Sequence, residues 1–200
     1  MTSRHPTSRA AHAVRIIGGQ WKRTPLPVAD RPGLRPTPDR VRETLFNWLG
    51  QDLASLRCLD AFAGSGALGF EAASRGAAQV LLIEQAPALV AVLKDNARRL
   101  QASQITVQRG DALAAMRQLP AQAWDVVFLD PPFAQGQNEA LFREALTSAR
   151  RLIGAEGRLY LEAPRAWAEA ELAELGWALL RQGRAGQVTF HLLGPLAAGG

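Results

Sequence analysis

Two short stretches of this chain carry residue types that could do chemistry. The first is Asp60-Ala61-Phe62-Ala63-Gly64-Ser65-Gly66-Ala67-Leu68-Gly69. Gly64, Gly66 and Gly69 match the G-x-G-x-x-G pattern of a nucleotide-binding turn. Glycine admits positive φ and lets a ligand approach the backbone, and the helix that follows offers unpaired N–H groups and a positive dipole end. Glu84 lies 20 residues beyond Gly64 and could accept both ribose hydroxyls of a nucleoside. The second stretch is Val127-Phe128-Leu129-Asp130-Pro131-Pro132-Phe133. Its two prolines fix the backbone and remove two N–H donors. The Asp130 carboxylate and backbone carbonyls remain as acceptors, followed by a planar aromatic ring. Such a set suits a flat base with an exocyclic amine. The amine would donate to Asp130 and to a carbonyl such as that of Pro131, and the ring would stack on Phe133.

The glycine turn alone could serve NAD or S-adenosylmethionine, or could be a turn without a ligand. Asp60 shifts the balance. A carboxylate before the first glycine would repel a pyrophosphate, but could sit near the amino group and sulfonium of S-adenosylmethionine. Asp111 could accept from an adenine amino group or cap a helix, and the two roles are compatible. Gripping both hydrogens of a base amine favours a pyramidal nitrogen whose lone pair can attack a sulfonium methyl. Catalysis of that in-line displacement is mostly alignment and electrostatics. A paired base could not enter such a pocket, so the nucleotide must be single-stranded or flipped. A Walker B reading of the apolar run fails because no G-x-x-x-x-G-K-[ST] exists.

These motifs need a scaffold that puts them side by side. Strand-like runs are expected over residues 57–61, 80–84, 105–108, 124–130 and 158–162, with helices over 67–75, 87–100, 112–118 and 139–152. This alternation predicts an α/β fold: a Rossmann-like, doubly wound, mostly parallel seven-stranded sheet. Residues 126–129 are apolar without alternation, as in a central strand buried on both faces. After a helix over 167–175, the runs at 177–181 and 188–193 are separated by too few residues for a crossover. They read as an antiparallel pair closing the sheet edge, so the last strand is antiparallel. Upstream, residues 14–17 and 26–28 suggest a small hairpin through Gly18-Gly19. Thr37 is expected as N-cap and Pro38 as first residue of a helix carrying Val41, Leu45 and Leu49. The expected organisation is a tail (1–13), a basic extension (14–50), a catalytic domain (51–195) and a second tail (196–200).

Charge divides the chain in the same place. Of its 200 residues, 1–57 hold 10 Lys+Arg against 4 Asp+Glu, a net of +6, and 58–200 hold 13 against 14, a net of −1. Clustered basic charge favours a polyanion such as nucleic acid. Only Lys22 and Lys94 are lysines. Arginine suits phosphate recognition, although a GC-rich genome would produce the same bias. Arg15, Lys22, Arg23, Arg31, Arg35, Arg40 and Arg42 are the candidate phosphate contacts. Arg40 and Arg42 lie off the apolar stripe and are expected to face solvent or substrate. Trp21 could stack on a base or join the core. The single cysteine, Cys58, excludes an internal disulfide, and no Cys/His cluster suggests a metal site. No apolar run approaches a membrane span and no signal sequence is evident, so a cytoplasmic location is expected.

The glycine turn followed by Asp-Pro-Pro-Phe resembles class I S-adenosylmethionine-dependent methyltransferases acting on exocyclic amines. A closer resemblance lies in Arg15-Ile16-Ile17-Gly18-Gly19-Gln20-Trp21-Lys22-Arg23 and in the string from Leu34-Arg35-Pro36-Thr37-Pro38-Asp39-Arg40-Val41-Arg42 to Leu49. These are similar to the bacterial 16S rRNA (guanine(966)-N(2))-methyltransferase family. The resemblance implies S-adenosylmethionine as cofactor, a guanine-N2 amine as target, and 16S rRNA as partner, within a 30S subunit or assembly intermediate; a monomer is the default expectation. It places Asp60, Gly64, Gly66, Glu84 and Asp111 at the cofactor, with Phe62, Ser65 and Ala112 as their neighbours. Asp130, Pro131, Pro132 and Phe133 would hold the base. Where the family commonly has Gly-Arg, this chain has Lys22-Arg23. Three other readings stay open: an adenine-N6 methyltransferase on RNA or DNA, an NAD-dependent oxidoreductase, and a non-catalytic RNA-binding module. The oxidoreductase would need a proton donor; His191 is the only histidine outside the expected tails.

Overall fold

In the computed structural model the described residues are 13–29, 36–132 and 138–196. Arg31, Arg35 and Phe133 lie outside them, as do nearly all of the two expected tails. The chain opens with strands β1 (Ala13–Arg15) and β2 (Pro25–Pro27), paired antiparallel with Val14 opposite Leu26. Helix α1 (Asp39–Trp48) follows. Then come β3 (Arg57–Asp60), α2 (Ala67–Ser74), β4 (Gln79–Glu84), α3 (Pro87–Arg99), β5 (Ile105–Arg109) and α4 (Ala112–Gln118). The chain continues through β6 (Trp124–Leu129), α5 (Glu139–Leu152), β7 (Ile153–Ala163), α6 (Glu169–Glu174), β8 (Trp177–Ala185) and β9 (Val188–Pro195).

The seven-stranded sheet has the order β5-β4-β3-β6-β7-β9-β8. Strands β5, β4, β3, β6 and β7 are mutually parallel, and β9 runs antiparallel to both β7 and β8. The antiparallel last strand is as expected, but it is inserted beside β7 and leaves β8 at the edge. The chain leaves β3 toward β4 and β5, then returns to β6 on the other side of β3. That reversal is the topological switch point, and both candidate motifs hang from its carboxyl end.

The strands alternate two apolar sets across the sheet. Val126 and Phe128 of β6 join Cys58, Leu82, Tyr160 and Phe190 on one face, under β1, β2, α1, α2 and α3. Val127 and Leu129 join Leu59, Ile83, Leu161 and Leu193 on the other, under α4, α5 and α6. Fully burying one such side chain contributes about 1.5–3 kcal/mol, so a two-faced central strand is among the strongest anchors of the fold. Val14, Ile16, Leu26, Leu45 and Phe46 belong to the first of these cores. The basic extension therefore shares a core with the sheet.

Three local expectations are corrected. Pro38, not Thr37, is the N-cap of α1, and it makes no side-chain cap bond; the Thr37 side chain is turned instead to Glu162. Strand β7 begins at Ile153, well before the expected residue 158, with a register shift between Trp124 and Val126 of β6. Arg42 does not face solvent: it is 1% exposed.

Candidate active site

Strand β3 ends on Asp60, and the following turn is shaped by backbone bonds that the glycines permit. Gly64 and Gly66 adopt φ of 51° and 78°, and Gly66 is the left-handed N-cap of α2. The Gly64 N–H donates to Glu84 Oε2 at 3.0 Å, and the Ala86 N–H donates to Glu84 Oε1 at 2.7 Å. Glu84 thus ties the glycine turn to the end of β4 and keeps lone pairs for further donors. Asp60 is 2% exposed, and its Oδ2 accepts the Gly69 N–H at 3.0 Å. That N–H belongs to the first turn of α2 and has no partner within the helix. Gly69 also allows α2 to sit close on the sheet, since a Cβ there would lie 2.1 Å from Leu82 Cδ2. Burial pushes the Asp60 carboxyl up to about 7; the Gly69 bond opposes this, and the charges of Glu84 and Glu162 add to it.

Asp111 caps α4 through the Ala114 N–H at 2.8 Å. Its second carboxylate oxygen makes no hydrogen bond among the described residues. Ser65 and Ala112 are buried, and Phe62 is half-buried against the second core.

Asp130 follows β6, with Pro131 buried and Pro132 exposed. The register pairs Leu129 with Leu161, so Asp130 and Glu162 are neighbours at the next step outward. Both lie on the pleat shared by Phe128 and Tyr160. Glu162 was not singled out from the sequence. It is 6% exposed, accepts the Tyr160 hydroxyl at 2.8 Å, and is also bonded by the Thr37 side chain. Burial, then repulsion from Glu162 and Asp60, holds the Asp130 carboxyl well above the usual range. Burial likewise raises Glu162, against the two hydroxyl bonds. Glu84, Asp60, Asp130 and Glu162 therefore line one face at the carboxyl ends of four adjacent strands.

The acceptor set fits S-adenosylmethionine. Glu84 can accept ribose hydroxyls, Asp111 an adenine amine, and the buried Asp60 an ammonium or a nearby sulfonium charge. Among the described residues there is no group of three or more His, Cys, Asp or Glu that could hold a metal ion, and no helix is long and apolar enough to cross a membrane.

The basic residues separate into two kinds. Lys22, Arg23 and Arg40 are exposed. Arg15 is exposed and pairs with Asp39 at 3.1 Å. Arg42 is structural: it reaches Glu71 Oε2 at 3.1 Å, Asp39 Oδ1 at 2.6 Å, the Arg15 carbonyl at 2.8 Å and the Thr37 carbonyl at 3.2 Å. Glu71 is the other residue missed in the sequence. It is buried in α2, where it accepts the Ile17 and Gly18 N–H groups at 2.9 and 2.8 Å and Arg75 Nε at 2.9 Å. The signal was an acid inside the apolar helix sequence ALGFEAAS, which burial would not tolerate without cations. Gly19, at φ +72°, lets this segment touch the end of α2; a Cβ would lie 1.8 Å from the Ser74 carbonyl oxygen. Trp21 packs half-buried against the first core. His191 is buried; its Nε2 accepts the Trp167 N–H at 3.2 Å, so Nδ1–H donates to the Leu161 carbonyl at 3.3 Å. Both ring nitrogens are committed to the fold.

Comparisons with known proteins agree with this geometry. Residues 14–194 match the family described as conserved hypothetical protein 95. The chain is 41% identical over 191 residues to ribosomal RNA small subunit methyltransferase D of Escherichia coli K12, covering 94% of this chain and 92% of that protein. The Haemophilus influenzae protein of the same name is 39% identical over 189 residues, covering 93% and 96%. The solved structure of yhhF from Escherichia coli superposes with a TM-score of 0.79 at 37% identity, covering 94% of this chain and all of that one. The chain belongs to the ribosomal RNA small subunit methyltransferase D family, with the fold of class I S-adenosylmethionine-dependent methyltransferases.

Proposed function

We propose that this protein transfers a methyl group from S-adenosylmethionine to the exocyclic N2 amine of a guanine in 16S rRNA. The observation that carries this reading is the row of carboxylates across the switch point. Two of them, Asp60 and Glu84, are fixed to the glycine turn. Of the other two, Asp130 leads into Pro131 and Pro132, and Glu162 is its neighbour on the adjacent strand. When bound, S-adenosylmethionine supplies a methyl group on a positively charged sulfur. Glu84 would hold its ribose, Asp111 its adenine and Asp60 its charged end, with Phe62, Gly64, Ser65, Gly66 and Ala112 forming the walls. Asp130 and the Pro131 carbonyl would grip the two amine hydrogens, aligning the nitrogen lone pair for in-line attack. The amine proton leaves late, to Asp130 or to water. Phe133, outside the described residues, would stack on the base.

The 30S subunit, or an assembly intermediate of it, is the proposed form of the substrate, in the cytoplasm. Residues 14–50 are proposed as the RNA-contacting extension and 51–195 as the catalytic part. The exposed Lys22, Arg23, Arg40 and Arg15 are the phosphate contacts; Arg42 is withdrawn from that set by its burial. An incubation with labelled S-adenosylmethionine and, separately, naked 16S RNA, 30S particles lacking the modification, and duplex DNA tests the reading. Nucleoside analysis should return N2-methylguanosine from the particles. N6-methyladenosine would sink it.

A further inference from the structure

Two buried carboxylates, Glu71 and Glu162, sit on the same side of the sheet in opposite circumstances. Glu71 accepts two amides and two guanidinium groups. Glu162 has only the Tyr160 and Thr37 hydroxyls, and its charged neighbours are carboxylates. No cation pairs with it among the described residues. A buried carboxylate held for stability alone is expected to meet a cation. One held against another carboxylate is unfavourable until a ligand rich in donors arrives.

We infer that Glu162 selects guanine over adenine by accepting the guanine N1–H while its neighbour Asp130 accepts from the N2 amine. The inference rests on the guanine-N2 reading above. The Watson–Crick edge of guanine presents N1–H and N2–H side by side, two adjacent donors. Adenine presents an amine beside the N1 lone pair, which a carboxylate repels. Asp130 and Glu162 are next to each other across two strands whose spacing is about 4.8 Å. They therefore offer two adjacent acceptors, complementary to the first edge and opposed to the second. Thr37 and Tyr160 hold Glu162 in place, and the buried Arg42 holds the Thr37 carbonyl. In this way the N-terminal extension reaches the base-selecting residue, and Arg42 acts through Thr37 as a positioning residue.

The experiment replaces the target guanine by 2-aminopurine in a reconstituted particle. That base keeps the N2 amine and substitutes a lone pair for N1–H. Wild-type enzyme should prefer guanine in kcat/KM by about 10²–10⁴-fold, as expected when a site's polar group is left facing the wrong partner. In Glu162→Gln the amide can still accept the Tyr160 hydroxyl while turning a donor to the base. Guanine transfer should fall by at least about 10²-fold, 2-aminopurine transfer should hold or rise, and the preference ratio should collapse toward one. Binding of S-adenosylmethionine, read by calorimetry, should change less than about threefold. Equal losses on both bases, with the ratio unchanged, would overturn the inference and leave Glu162 a structural residue. If Glu162→Gln does not fold, Thr37→Val removes one hydroxyl at similar volume and should shrink the ratio several-fold; an unchanged ratio there also overturns it. Failure of the underlying reading looks different: the wild-type enzyme would then form no N2-methylguanosine on the guanine particle.

Discussion

The two ends of α2 use the same residue type for opposite purposes. At its carboxyl end, Glu71 is closed off by Arg42, Arg75 and two amides. At the other end, the carboxylates at the carboxyl ends of the strands lie side by side, and burial, then mutual repulsion, raises the affinity of Asp60 and Asp130 for protons. Glu71, Asp60 and Glu162 are all buried, so burial does not separate an acid of the network from one at the candidate site. The sign of the neighbours does. A cation-paired network fixes the extension onto the sheet, whereas a row of carboxylates without cations suits a cationic or donor-rich ligand.

The largest expected effect tests the open end. Asp130→Ala should lower kcat by about 10³-fold or more, since it removes the acceptor proposed for the reacting amine. Cofactor affinity should stay nearly intact in calorimetry. Loss of cofactor binding would mean that Asp130 belongs to the other half of the site.

The closed end should respond in stability instead. Glu71→Ala removes the buried one of Arg42's two carboxylate partners, a change that costs about 3–5 kcal/mol. Urea denaturation of the unliganded protein should show it. A loss below about 1 kcal/mol would dissolve the contrast between the two ends.

Asp60 lies between these cases and makes a pH prediction. Its carboxyl titrates near 7 in the fold against 3.8 ordinarily. Between those values the folded state binds more protons than the unfolded, so its contribution to stability falls as pH rises from about 4 to 7. Asp60→Asn keeps an acceptor for the Gly69 N–H and cannot ionise. It should raise the stability of the unliganded protein at pH 8 by on the order of 1–3 kcal/mol and leave it unchanged near pH 4. The same substitution should weaken S-adenosylmethionine binding most at high pH. A variant no more stable at pH 8 than the wild type would show that the fold does not raise the Asp60 carboxyl.

How much of this was legible in the sequence follows from what each signal depends on. Strand β6 was readable because a two-faced strand is an uninterrupted apolar run, and α4 and α5 run over the expected residues because Asp111 caps the first and the second buries Phe142, Ala145, Leu146 and Ala149 at helical period. Asp60 and Asp130 were readable because they adjoin glycine or proline motifs, and Glu84 because it ends a strand 20 residues beyond Gly64. Glu162 adjoins none: its place depends on the pairing of β7 with β6, which no local pattern encodes. Thr37 looks like a cap by residue type, yet its hydroxyl is taken by that same distant carboxylate. Arg42 lies off the apolar stripe of α1 and so reads as exposed, until Glu71 on another helix draws it into the core.

That last misreading supplies the smallest and sharpest test. Arg40 and Arg42 are two residues apart on one helix and would be treated alike by any argument from charge. Arg40 is exposed, whereas Arg42 is sealed against Glu71 and Asp39. Arg40→Ala should leave the denaturation midpoint unchanged. It should weaken RNA binding modestly and reduce the slope of log K against log salt by about 0.7–0.9, the loss of one phosphate contact. Arg42→Ala should do the reverse, lowering stability while leaving the salt slope of the folded fraction unaltered. Equal salt slopes for wild type and Arg40→Ala would move the RNA away from this face of α1. The exposed pair Lys22 and Arg23 on the hairpin would then be the next to substitute.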